Sequence, residues 1–220
     1  MKKILTILAL LAATVVCPVQ SHIAAQTATL SKSQTKAVEK DSKKRCKELK
    51  KAGWEPLAST STMEYAMIKY RTYIESDEEN RIPITGIAIG RSNKIGRENA
   101  IHSGIASYAT RAKAQIVGKM KSVLAADSHT TTPEEIEKFG AAYEAAVNTK
   151  LSGLVKEHFA LVRTTSNGAK EFNVFMSIDE VKARKAREEA GRIAQERAQL
   201  GSLSEHAEDF IGEPVEPEEY

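Results

Sequence analysis

The feature of this 220-residue sequence that restricts its fold most is a pair of alternating segments on either side of Asn167-Gly168. In HFALVRTTSNGAKEFNVFMSI, apolar side chains recur at every second position, which is the spacing of a β-strand with one buried face. Asn-Gly between two such segments favours a type I′ turn, because both residues tolerate a positive φ angle. The sequence therefore predicts a β-hairpin whose second strand directs four side chains to the core: Phe172, Val174, Met176 and Ile178.

A further strand is predicted at RIPITGIAIG, residues 81–90. The two isoleucines before Gly86 lie on one alternation and the two after it on the other, so a one-residue slip at Gly86 predicts a β-bulge. Pro83 has no N–H to donate to a neighbouring strand. This strand is therefore expected at the edge of the sheet, or with Pro83 at its start.

Apolar spacings of three and four residues predict five helices. The first predicted helix, residues 31–52, has a thin apolar stripe of Val38, Cys46 and Leu49, and the second, residues 62–75, has a stripe of Met63, Met67, Tyr70 and Ile74. The third runs from about 96 to 126. The fourth begins at Thr132 with the capping-box sequence TPEE, and the fifth comprises residues 179–200. The last carries Glu180–Arg184 and Glu188–Arg192 pairs and little bulky apolar surface, so we expect it to be largely solvated.

The order helix, helix, strand, long helix, helix, hairpin, helix predicts an α+β fold. We expect a single domain with a small, mainly antiparallel sheet of about three strands, ending in the C-terminal hairpin and covered on one side by long helices. The predicted organisation is a signal peptide at 1–25, a basic helix at 26–53, the α+β core at 54–178, a charged helix at 179–202 and a disordered acidic tail at 203–220.

The first 25 residues have the pattern of a secretory signal peptide. Lys2 and Lys3 precede the apolar run 4–13, and small residues stand at Ala24 and Ala25, so we expect cleavage after Ala25. The run is shorter than the roughly 20 residues that span a bilayer. Lipidation at Cys17 is the alternative, but the lipoprotein peptidase prefers a small residue where Val16 stands. We therefore predict an exported protein, periplasmic or outer-membrane associated and not lipidated.

Charge is unevenly distributed along the chain. The whole sequence has a net charge of +3, and cleavage would leave 30 basic and 29 acidic residues. Residues 31–51 hold nine basic and three acidic residues, whereas 203–220 hold seven acidic and no basic ones. A basic helix of this kind could contact an anionic membrane surface or other envelope proteins through Lys43, Lys44, Arg45, Lys47 and Lys50. The simpler alternative is a solvated face.

The glycine-containing segment TGIAIGRSNKIGREN is the best candidate for a phosphate-binding loop. Five residues separate Gly90 from Gly96, where a P-loop has four and then Lys and Ser or Thr, and no G-x-G of the dinucleotide-binding motif occurs. A helix N-terminus beside basic side chains could still bind an anion weakly, here through Arg91, Lys94 and Arg97. The alternative is a purely structural strand, turn and helix start.

Other chemistry-bearing residues form no recognisable constellation. His102, His129 and His158 lie on different predicted elements, and Cys46 is the single cysteine after residue 25, so no metal site is predicted. No G-x-S-x-G motif holds a nucleophilic serine. Tyr65, Tyr70 and Tyr73 with Lys69 and Arg71 could stack on bases or sugars, but helix packing explains them better. We expect no enzyme activity, no cofactor and no nucleic-acid partner.

The strand GIAIG, the helix ENAIHSGIASYATRAKAQI and the strands LVRTTSNGAKEFNVFMSI resemble the Lpp-twenty-type lipoprotein family of the bacterial envelope. The matching positions are Gly86 to Gly90, then Ala100, Ala109, Arg111 and Ala112, then the strands around Asn167-Gly168. ELKKAGWEP also resembles uncharacterised exported proteins of Bacteroidetes. The resemblance implies an envelope location and brings no catalytic residues, and Val16-Cys17 departs from the lipoprotein pattern.

Two functional hypotheses follow. The first is an exported, non-enzymatic envelope protein that acts in binding or assembly. The alternative is a periplasmic ligand-binding or hydrolytic protein with an anion site near Gly90–Arg97. A pocket that brings Arg91, Arg97 and His158 together would favour the alternative.

Overall fold

Six helices and four strands occur in the part of the chain that the computed structural model describes, namely residues 30–57, 61–126, 132–198 and 204–215. In chain order they are α1 (Lys32–Lys51), β1 (Glu55–Pro56), α2 (Met63–Glu75), β2 (Arg81–Gly90), α3 (Asn93–Ala126), α4 (Pro133–Leu151), β3 (Lys156–Thr164), β4 (Lys170–Asp179), α5 (Glu180–Arg197) and α6 (Ser204–Ile211). The predicted signal peptide lies outside the described residues.

The strands form one antiparallel sheet in the order β1-β3-β4-β2. This confirms the predicted α+β class with a small antiparallel sheet and a C-terminal hairpin. The strand that the sequence did not indicate is β1, whose two residues pair with Val162 and Leu161. The edge position predicted from Pro83 is confirmed, because β2 is the last strand in this order.

The hairpin turn differs from the predicted type. Gly168 has a φ of 80°, but no non-glycine residue of the described segments has a positive φ, so Asn167 does not adopt the type I′ conformation. The Gly168 amide donates to the Thr165 carbonyl at 2.9 Å, and the Thr165 amide donates to Ala169 at 2.8 Å. These bonds define a three-residue loop with a left-handed glycine at its end, which needs one positive φ instead of two.

The bulge predicted at Gly86 is wrong, because β2 and β4 pair without interruption from Arg81↔Asp179 to Gly90↔Lys170. Ile87 and Ile89 are simply exposed, at 48% and 59%. The inner face of that half-strand carries Gly86, Ala88 and Gly90 because the α3 backbone lies against it. A Cβ built on Gly86 would lie 2.7 Å from the Gly104 amide nitrogen and would overlap the Ala100 carbonyl.

The two faces of the sheet are covered by different helices, which corrects the predicted one-sided covering. On one face, Phe172, Val174, Met176 and Ile178 are buried as predicted, in a core with residues of α3, α4 and α5. On the other face, Phe175 and Leu161 are buried beneath α2. The apolar stripes predicted for α1 and α2 supply that second cluster: Cys46, Leu49, Met63, Met67, Tyr70 and Ile74. The predicted capping box at Thr132 is also present.

Helix α5 is not the largely solvated helix that was predicted. Its alanines at 183, 186, 190 and 194 are buried, because small side chains let the helix lie close to its neighbours. Two of its charges are buried as well: Arg187 pairs with Glu180 at 2.6 Å. The predicted Glu180–Arg184 and Glu188–Arg192 pairs are replaced, since Arg192 pairs with Glu189 at 2.9 Å and with Glu196.

The predicted disordered tail is also wrong over the part that the structure describes. Residues 204–211 form α6, and Ala207, Ile211 and Val215 are buried in the main core at 0%, 4% and 6% exposure. These three side chains recur at intervals of four residues, so even an acidic segment presents one apolar line to the body of the protein. Residues 203 and 216–220 lie outside the described residues.

Candidate functional site

The structure does not bring the three residues of the predicted anion site together. Arg97 pairs with Glu157 of β3, its Nε donating at 2.8 Å. Arg91 and Lys94 are exposed elsewhere. The start of α3 is capped from within, because the Ile95 amide donates to the Ser92 hydroxyl at 3.3 Å. Of the structural alternative, the strand end at Gly90 and the helix start after Ser92 are present, whereas Gly86 lies against the α3 backbone instead of forming a bulge.

Arg97 is one of the residues that line a groove between α2 and β3, which we call the α2–β3 groove. Its volume is about 620 Å³. The wall from α2 includes Tyr65, Lys69 and Tyr73, and the wall from β3 includes Lys156, His158 and Phe159. Arg97 and His158 therefore do converge on one concavity, but Arg91 does not line it.

Positive charge predominates in the α2–β3 groove. Lys69 and Lys156 are exposed and have no carboxylate within 4.0 Å among the residues described. The carboxylate among the lining residues belongs to Glu157, which the Arg97 guanidinium neutralises. Two ammonium groups in a partly apolar concavity attract anions.

Aromatic rings fix the positions of these charges. Lys156 Nζ and the Arg81 guanidinium each lie 4.1 Å from the centre of the Tyr73 ring. The His158 ring contacts Tyr70 and Tyr73, with centroid distances of 5.1 Å and 4.8 Å. The spacing of Tyr65, Lys69 and Tyr73 was visible in the sequence as one helix face, but nothing in it showed that β3 would lie opposite.

His158 is held as a neutral imidazole. Burial, with the nearby Lys156 and Lys69 ammonium groups, lowers its pKa from 6.5 to about 4. Its Nε2 lies 2.8 Å from the Ser177 hydroxyl. Ser177 is only 2% exposed, so a substrate carbonyl cannot reach that oxygen as it must for nucleophilic catalysis. The pair therefore serves to hold the imidazole in place.

The depressed pKa of His158 predicts a pH dependence of stability. Between pH 6.5 and about 4 the unfolded chain binds a proton at this site that the folded protein does not, so stability is lost as pH falls through that window. For a half-buried side chain, the expected loss of unfolding free energy between pH 7 and pH 5 is about 1 kcal/mol. Urea unfolding of the wild type and His158→Gln at both pH values measures it. Equal losses in the two proteins would contradict the prediction.

The second candidate surface is the outer face of α1. Lys43, Lys44, Arg45, Lys47 and Lys50 are all exposed, whereas Val38, Ser42, Cys46 and Leu49 form the buried side of the helix. Lys43 lies 3.8 Å from Glu64, and Arg45 lies 3.6 Å from Glu48. For Lys44, Lys47 and Lys50 no acidic partner occurs within 4.0 Å in the described part of the chain.

Cys46 and the histidines offer little chemistry. The Cys46 side chain is 2% exposed, and burial raises the pKa of its thiol against the opposing effect of Lys50. A buried neutral thiol is a poor nucleophile. Across residues 30–57, 61–126, 132–198 and 204–215, no three His, Cys, Asp or Glu side chains are grouped as metal ligands. His129 lies outside these ranges.

Comparisons with protein-family models, curated proteins and solved structures give no match to this chain. The resemblance to the envelope lipoprotein family stays a prediction from motifs. Within the described residues, no helix combines the length and apolar character needed to cross a bilayer.

Proposed function

We propose that this chain is an exported, non-enzymatic component of the cell envelope that binds an anionic lipid surface through the outer face of α1. The observation that carries the proposal is the set of lysines Lys44, Lys47 and Lys50 on one helix, for which the described residues supply no acidic partner. Their neighbours Lys43 and Arg45 make long, exposed contacts with the carboxylates of Glu64 and Glu48. The opposite side of the helix is docked on the protein, so the charged side is the one turned outward.

The strength of such binding follows from simple electrostatics. Each Lys or Arg near an anionic membrane surface contributes roughly 1 kcal/mol. From Lys43 to Lys50 the helix rises by seven steps of about 1.5 Å, so these charges extend over about 10 Å and can contact more than one headgroup. The attraction falls off within about 8 Å at physiological ionic strength, so binding should weaken steeply as salt rises.

Co-sedimentation with vesicles tests the proposal. We expect the chain beginning at Gln26 to sediment with vesicles containing anionic lipid at low salt, and to stay in solution with neutral vesicles. Changing Lys44, Lys47 and Lys50 to Gln should weaken the partition at least tenfold, because three contributions of about 1 kcal/mol are lost.

A matched variant with Lys138, Lys182 and Lys185 changed to Gln removes the same charge from exposed positions of α4 and α5. It should sediment like the wild type. Equal weakening by both variants would show that net charge alone governs binding. Capture of an acidic envelope protein, with no binding to anionic vesicles, would replace the lipid surface by a protein partner.

The alternative function is a ligand-binding or hydrolytic protein with an anion site at Gly90–Arg97. The structure supports this anion site less well than it supports membrane binding through α1. Arg97 is engaged by Glu157, and Arg91 and Lys94 do not join it. The hydroxyl that contacts His158 does not support the hydrolytic form, because Ser177 is only 2% exposed.

A further inference from the structure

We infer that the α2–β3 groove is a binding site for an organic anion with a flat apolar body, such as an aromatic carboxylate. The acid group would lie between Lys69 and Lys156, and the apolar body would pack along Tyr65 and the floor of the groove. This site is separate from the outer face of α1 and does not depend on membrane binding.

The lysine side chains of the groove favour a negatively charged ligand. Lys69 and Lys156 line the groove from its α2 and β3 walls together with His158, and Lys156 Nζ lies 4.1 Å from the centre of the Tyr73 ring on the α2 wall. Both ammonium groups also lower the pKa of His158. Neither is neutralised by a carboxylate of the described residues, whereas Arg97 is neutralised by Glu157. A ligand acid group would supply the missing negative charge between two donors.

The apolar side chains that line the groove favour a ligand with an apolar body. Leu57, Met63, Ala160 and Leu161 border the groove together with Phe159. Tyr65 is 59% exposed, and it belongs to the same wall as Lys69. A volume of about 620 Å³ falls within the range of small-molecule sites. Offset stacking on Tyr65 would cover its exposed face.

A pair of probes that differ only in charge tests the inference. Titration of the ¹⁵N-labelled protein with 2-naphthoate should shift amide resonances of α2 and β3 in a saturable manner. The neutral 2-naphthamide has the same ring and nearly the same shape, and it should bind at least fivefold more weakly, because it cannot pair with the lysines.

Three variants locate the site. The double variant Lys69→Gln/Lys156→Gln should weaken naphthoate binding at least tenfold, whereas Lys182→Gln/Lys185→Gln on α5 should leave it unchanged. Glu157→Gln should strengthen binding severalfold, because it removes the negative charge beside Arg97. A purely structural role for these residues would not produce that increase.

Several results would overturn the inference. In the titration, these results are the absence of saturable amide shifts, or amide shifts confined to other parts of the fold. Equal affinities for naphthoate and naphthamide would also contradict it, as would undiminished naphthoate binding by a folded Lys69→Gln/Lys156→Gln protein. The amide spectrum of each variant shows whether it is folded.

Discussion

Replacing Arg187 by Met is expected to lower the free energy of unfolding by about 3–5 kcal/mol. Arg187 is 1% exposed and makes three kinds of contact. It donates to Glu180 at 2.6 Å, to the Tyr108 hydroxyl at 2.6 Å and to the Ile211 carbonyl at 3.4 Å. Met fills a similar volume but leaves the Glu180 carboxylate buried without its partner, which is the main cost.

The double variant Glu180→Leu/Arg187→Met separates this cost from packing. Removing both charges should recover at least half of the loss, since an apolar pair avoids the desolvation that an ion pair must overcome. Urea unfolding of the wild type, both single variants and the double variant gives the coupling free energy between the two side chains. Additive effects would show that Glu180 and Arg187 do not act as a pair.

The second large effect is expected from Gly86→Val. Any Cβ at this position overlaps the Ala100 carbonyl and lies 2.7 Å from the Gly104 amide, so α3 has to move away from β2 along its length. Overpacking against side chains costs about 1–3 kcal/mol, and a helix backbone yields less readily, so we expect a loss of about 3 kcal/mol or more.

Gly118→Ala is the matched control for that substitution. Gly118 lies in the same helix α3, and a Cβ there would meet nothing within 4 Å. Alanine is the better helix former, so this variant should gain about 0.5–1 kcal/mol of stability. Thermal or urea unfolding measures both variants. A Gly86→Val protein as stable as the wild type would mean that α3 and β2 are not held in close contact.

The sequence predicted those features that depend on neighbouring residues. The capping box at Thr132, the periodicity of α2 and the alternation of β4 are local patterns, and each has its predicted counterpart in the structure. The bulge predicted for β2 was wrong because it also relied on a local pattern, the alternation of apolar side chains. Alternation normally indicates which face is buried, but on β2 the buried face carries Gly86 and Gly90, because a helix backbone rather than side chains packs on it.

The features that could not be predicted depend on partners distant in sequence. One side of α5 is buried because α4 and α6 pack against it. The alanine-rich stripe on this charged helix did not indicate that other helices would cover it. The α2–β3 groove likewise joins residues about ninety positions apart. Tyr65, Lys69 and Tyr73 were visible as a helix face, but the wall opposite them was not.

The contact between Arg187 and Ile211 has a consequence for the order in which the protein can be made. The carbonyl that accepts from the Arg187 Nε belongs to α6, which follows α5 in the sequence. The central strand β4 is also late, about eighty residues after the edge strand β2 that pairs with it. A growing chain therefore cannot close its sheet before β4 has been synthesised, and it cannot complete the hydrogen bonds of Arg187 before α6 has been synthesised.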